Sequence, residues 1–166
     1  MSIIRKLLAA CYQAMEQAAN QEKERIYRKQ FDLHPTARLG YLPHIVMMGN
    51  ISIGENSYFN SGKIVSGKNS KVVTGKWCAI AYNVDIHAIS HDPDDATGPE
   101  GQRRAIEKDI VIGDHVWIGS NVFIRPGITI GNRCVIGANT VVTHDIADCT
   151  IVGGVPAKVI RSLKND

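Results

Sequence analysis

The sequence predicts an all-β fold, a parallel β-helix with an N-terminal helix and one long excursion loop. Three observations point there: a six-residue period, an opening segment free of glycine and proline, and one break in the period rich in turn residues. From residue 112 the chain runs IGDHVW, IGSNVF, IRPGIT, IGNRCV, IGANTV, VTHDIA. The first position is always aliphatic: Ile112, Ile118, Ile124, Ile130, Ile136 and Val142. The fifth is small or β-branched: Val116, Val122, Ile128, Cys134, Thr140 and Ile146. A period of six matches neither the 3.6 of a helix nor a long strand alternating by two. It matches a very short strand followed by a sharp turn, with glycine or asparagine where left-handed dihedrals are cheap. Three such units close a triangular coil, and coils stack at roughly 4.8 Å.

The same phase runs through residues 74–91 (TGKWCA, IAYNVD, IHAISH) and, across a three-residue slip, through residues 53–70. Cys78 and Cys134 thereby fall in equivalent inward slots, where they act as small buried hydrophobes. Residues 1–30 form a helix by composition. Its apolar stripe of Ile3, Ile4, Leu7, Leu8, Cys11, Tyr12 and Met15 is expected to pack on the end of the solenoid or on a neighbouring subunit. Residues 92–109, DPDDATGPEGQRRAIEKD, leave the period as an excursion loop that begins just after His91. Long irregular excursions from compact domains usually serve a function. The expected organisation is a helical segment and connector over 1–45, a β-helix over 46–160, and a short tail over 161–166.

A chain of 166 residues with 44% hydrophobic and 21% charged residues suits one globular domain. The net charge of +3 suits a small anionic ligand and is too weak and scattered for nucleic acid. Four cysteines without a CxxC pair give no disulfide framework. Arg5 and Lys6 interrupt the first apolar run, so it is neither a signal peptide nor a membrane span. A cytoplasmic protein with reduced thiols, not associated with membranes, is expected.

The hexapeptide run, the stretch IHAISHDPD and the segment GGVPAKVI occur in that order between about residues 50 and 162. Together they resemble the hexapeptide-repeat acyltransferases, in particular the maltose and galactoside O-acetyltransferases and the polysaccharide O-acetyltransferases. The resemblance implies a left-handed β-helix, a homotrimer with sites in grooves between subunits, acetyl-CoA as donor, and a small-molecule or glycan acceptor with a sugar hydroxyl. The first 45 residues do not match the leader of the sugar acetyltransferases, so the acceptor stays open. N-acetylation of an amino sugar or nucleotide-linked amino sugar is the nearest alternative. A γ-carbonic-anhydrase-like metalloenzyme and a non-catalytic scaffold are more distant ones.

The resemblance also implies roles for single residues. His91 stands where relatives carry the histidine that acts as general base. Imidazole, ordinarily titrating near about 6.5, suits removal of a hydroxyl proton near neutrality. A thioester is already reactive, so no Ser or Cys nucleophile is required. Asn60 matches an acceptor-contacting amide, and Asp85 and Asp92 flank the histidine as candidate acceptor ligands. Trp117 and Ser120 match positions lining the pantetheine arm, with Ala138 and Thr143 further along it. Lys158 and Arg161 are the expected partners of the coenzyme phosphates, and the backbone N–H groups of Gly119 and Ser120 are candidate oxyanion donors. His87 and His91 have the spacing of a helical metal pair but lie in β-coil, and Ser120 to Arg125 offers no further histidine. No metal is expected.

Overall fold

The structure is a computed structural model that describes residues 3–94 and 103–163. About five coils stack into a left-handed, three-sided β-helix capped by the N-terminal helix. That hand departs from the right-handed rule for crossovers between parallel strands. The first face is built from Asp32–Leu33, Asn50–Ile53, Lys71–Thr74, Ile110–Ile112 and Thr129–Ile130. The second carries Arg38–Leu39, Tyr58–Phe59, Ala79–Ile80, Trp117–Ile118, Val135–Ile136 and Thr150–Gly153. The third carries Ile45–Met48, Gly62–Val65, Val84–His87, Phe123–Ile124 and Val141–Val142.

The period of six works because parallel pairing in register stacks like on like. Ile80, Ile118 and Ile136 form one inward column, and Ile86, Ile124 and Val142 another. All six are fully buried. The fifth-position residues Val116, Val122, Cys134 and Thr140 are buried between these columns, as expected. Cys78 and Cys134 are buried, and burial pushes both thiols up from their ordinary range. Between the second and third faces, Asn83, Asn121 and Asn139 turn the chain at φ 55°, 58° and 58°. Their amides form a ladder, Asn83 Nδ2 donating to Asn121 Oδ1 and Asn121 Nδ2 to Asn139 Oδ1. Asparagine tolerates the left-handed region and satisfies its own amide in doing so.

The helix spans Ile3–Gln30 and docks through its last turns only. Lys23 Nζ donates to the Leu42 carbonyl at 2.7 Å, Tyr27 OH to that of Ile45 at 3.1 Å, and an Arg28 guanidinium nitrogen to that of Ala37 at 2.9 Å. Phe31 then closes the end of the core. The apolar stripe expected to pack against the solenoid does not do so within the chain: Ile3 is 77% exposed, and Leu7, Leu8, Tyr12 and Met15 are exposed with it. The coils begin at Asp32, earlier than the expected boundary at residue 46, and a last antiparallel strand, Lys158–Ser162, crosses the one at residue 160. No helix of the described residues is long and apolar enough to cross a membrane.

The excursion is a two-stranded antiparallel ribbon rather than an irregular loop. Ile89–His91 pairs with Ala105–Glu107, with His91 opposite Ala105. The ribbon leaves the third face after Ala88 and returns at Lys108, whose N–H donates to the Ala88 carbonyl at 2.9 Å. The centre of the expected loop, residues 95–102, lies outside the described residues.

Candidate active site

His91 ends the first strand of the ribbon and is exposed. It faces a groove of about 380 Å³ between the ribbon and the third face. Ile106 and Lys108 reach the groove from the returning strand and its end, and Phe123, Arg125, Val141 and Thr143 from the third face. Strand alternation places the third-face groups there: with Ile124 and Val142 inward, their chain neighbours must point outward. Gly127 sits at φ 84°, and a Cβ there would lie 2.9 Å from Lys108 Cδ, so the lysine stem lies across the bare glycine. Sequence reasoning missed Lys108 and Arg125. Their only signals were a cation at the end of the excursion and an Arg-Pro-Gly where neighbouring repeats carry Gly.

Asp92 follows His91 but is not free for an acceptor. It is 5% exposed, its Oδ1 accepts from the Asp94 N–H at 3.0 Å, and its Oδ2 accepts from Arg104, the residue just before the returning strand. The Arg104 guanidinium holds the carboxyl below its ordinary range, with help from the Asp94 N–H. Its work in this geometry is to lock the ribbon beside His91. Asp85 is the in-register neighbour of Phe123 but lines a separate groove with Lys63 and Asn83. Asn60 lines a third groove, with Arg38, Gly40 and Tyr58. Within one chain, therefore, Asn60 and Asp85 are not brought to His91.

The residues expected on the donor side lie on the second and third faces and at the corner between them. Trp117 is 57% exposed on the outer side of the second face. Ser120 lies at the corner, and its carbonyl accepts from the Asn139 N–H of the next coil. Ala138 is exposed beside it, and Thr143 lies past the corner in the groove of His91, hydrogen-bonded to His144 Nδ1 at 2.8 Å. Lys158 and Arg161 are exposed on the strand that ends the second face. Gly119 has a different role from the one expected. Its N–H already donates to the Ile136 carbonyl at 2.8 Å, so it is not an oxyanion donor. A Cβ there would stand 2.7 Å from the Ala138 nitrogen, so only glycine lets the coils stack at this corner.

His87 lies one inward–outward period before Ile89, its ring 5.5 Å from that of Phe123 beneath the wall of the groove. Its Nε2 is buried without a partner among the described residues. Burial pushes its pKa below the ordinary 6.5; Asp85 opposes that shift and Lys63 adds to it. Among the described residues no three His, Cys, Asp or Glu side chains converge as a metal site would require.

A family model described as bacterial transferase hexapeptide (six repeats) matches residues 109–144. The galactoside O-acetyltransferase of Escherichia coli K12 is 38% identical over 116 residues, which cover 70% of this chain and 56% of that protein. The chain thus spans a little over half the length of this curated relative. A hexapeptide-repeat-containing acetyltransferase from Vibrio cholerae superposes with a TM-score of 0.70 at 29% identity, covering 99% of this chain and 95% of its own. It has also been solved in complex with acetyl coenzyme A. A galactoside acetyltransferase in complex with coenzyme A gives a TM-score of 0.68 at 31% identity, over 87% of this chain and 71% of that one. Repeat, coil geometry and relatives agree: this chain belongs to the hexapeptide-repeat acyltransferase family.

Proposed function

We propose that the protein is an acetyl-CoA-dependent O-acetyltransferase acting on a sugar hydroxyl, in the cytoplasm, with surface polysaccharide assembly as its setting. The observation that carries this reading is His91 at the edge of a 380 Å³ groove, a volume that suits a monosaccharide. His91 takes the proton of the acceptor hydroxyl as its oxygen attacks the thioester carbonyl carbon. The carbon–sulfur bond then breaks, and the proton passes from His91 to the departing thiolate. Trp117, Ser120, Ala138 and Thr143 line the path of the pantetheine arm, and Lys158 and Arg161 meet the phosphates. The active unit is a cyclic homotrimer: open prism faces enclose no deep pocket alone, and a neighbouring subunit would close the groove of His91.

Release of coenzyme A thiol from acetyl-CoA, measured over a panel of sugars and amino sugars, tests the reading. His91→Ala is expected to lower turnover by about 10² to 10⁴, the usual worth of a general base, with acetyl-CoA affinity kept. Light scattering on both samples is expected to give the mass of three chains. A wild-type monomer removes the shared site, and an unchanged turnover removes His91. Transfer to amines alone favours the N-acetyl alternative.

A further inference from the structure

We propose that the groove beside His91 selects an anionic acceptor, a sugar bearing a carboxylate or phosphate, through Arg125 and Lys108. This inference rests on the acyl-transfer reading above. The two cations reach the groove from different elements, Arg125 from the end of the third face and Lys108 from the foot of the ribbon. Neither forms an ion pair or side-chain hydrogen bond among the described residues. No carboxylate lines the groove among those residues.

Of the acids near the groove in sequence, Asp94 does not line it and the others are committed elsewhere. Asp92 is held by Arg104 and the Asp94 N–H. Glu107 accepts from the Asn69 N–H of the preceding coil, and Asp109 from that of Lys71. Asp145 accepts from the Thr129 N–H. Among the described residues, two cations without counter-charge thus stand beside an apolar surface made by Ile106, Phe123 and Val141. That combination fits the C–H face of a sugar ring joined to an anion. The planar Arg125 fork serves carboxylate and phosphate alike, with Lys108 as a second point charge. Gly127 fixes where the lysine stem lies, which makes the charge part of a shaped surface rather than a swinging tether.

Calorimetric titration of the intact protein, in the presence of coenzyme A, tests this with three probes: glucose, glucuronate and glucose 1-phosphate. At least one anionic sugar is expected to bind about tenfold or more tightly than glucose, the worth of one charge-assisted hydrogen bond. Arg125→Gln and Lys108→Gln should each remove about tenfold of that difference, and Arg125→Glu should abolish it, with unchanged melting behaviour for these exposed positions. The preference between glucuronate and glucose 1-phosphate tells carboxylate from phosphate. Equal binding of glucose and both anions overturns the proposal, as does binding of none of the three. So does an effect of the variants confined to the Michaelis constant for acetyl-CoA, which would give the cations to the donor. Charge-dependent binding without acetyl transfer would sustain the anion site while removing the proposed activity.

Discussion

The coils and the ribbon solve opposite problems with neighbouring stretches of one chain. In the coils, each residue is fixed by the same position in the coil above and below, and the columns of isoleucine are fully buried. In the ribbon, Ile89–His91 and Ala105–Glu107 pair with each other, Glu107 alone bonding to a coil through the Asn69 N–H among the described residues, and their side chains are exposed or half-buried. The coils carry the stability, and the ribbon carries the group that would do the chemistry. Damage to the two regions should therefore register in different measurements.

The largest expected effect is on the coil side. Ile124→Ala removes a fully buried side chain from the middle of the column Ile86, Ile124, Val142 and should cost about 2–5 kcal/mol in a denaturant titration. Its neighbours Phe123 and Arg125 form one wall of the groove, so activity should fall with it. On the ribbon side, Asp92→Asn weakens the lock to Arg104 without removing apolar packing. Turnover should drop by roughly ten- to a hundredfold through misplacement of His91, while the unfolding midpoint barely moves. The reverse pattern, lost stability with full turnover, would make the ribbon part of the folding unit and end the contrast.

The smallest effect sits where the regions meet, at His87. Its folded-state pKa lies below the ordinary 6.5, so on acidification the unfolded chain takes up this proton first. Its contribution is fully present above about 6.5 and is lost as pH falls from there towards the folded-state value. His87→Gln should flatten that part of the stability–pH curve and leave stability above it nearly unchanged. A variant curve as steep as the wild type assigns the slope to other groups.

The coils were legible in the sequence because inward positions recur at a fixed interval and admit few residue types. Residues 112–146 display that interval directly. The first coil does not: Phe31, Ala37, Leu42, Ile45 and Met47 fill the same inward role at uneven spacing, so the solenoid looked shorter than it is. The hand of the helix came from family resemblance, since the inward–outward pattern is the same for either hand. His91 was legible as a histidine at the start of an excursion. The joint position of Lys108 and Arg125 was not, because it depends on the ribbon folding back, and nothing in the intervening residues has a period. Asp92 looked like a free loop acid because its partner, Arg104, is twelve residues away, just before the returning strand.

The point where the ribbon joins the coils has a consequence for how such proteins diversify. Ala88 and Lys108 meet through a backbone hydrogen bond, so the chain leaves and re-enters the prism at nearly the same place. The segment between them, bonded to a coil among its described residues through Glu107, serves as a cassette. Exchanging it for a shorter or longer segment from another member, grafted at these two residues, would change what approaches the groove while the coils on either side keep their register.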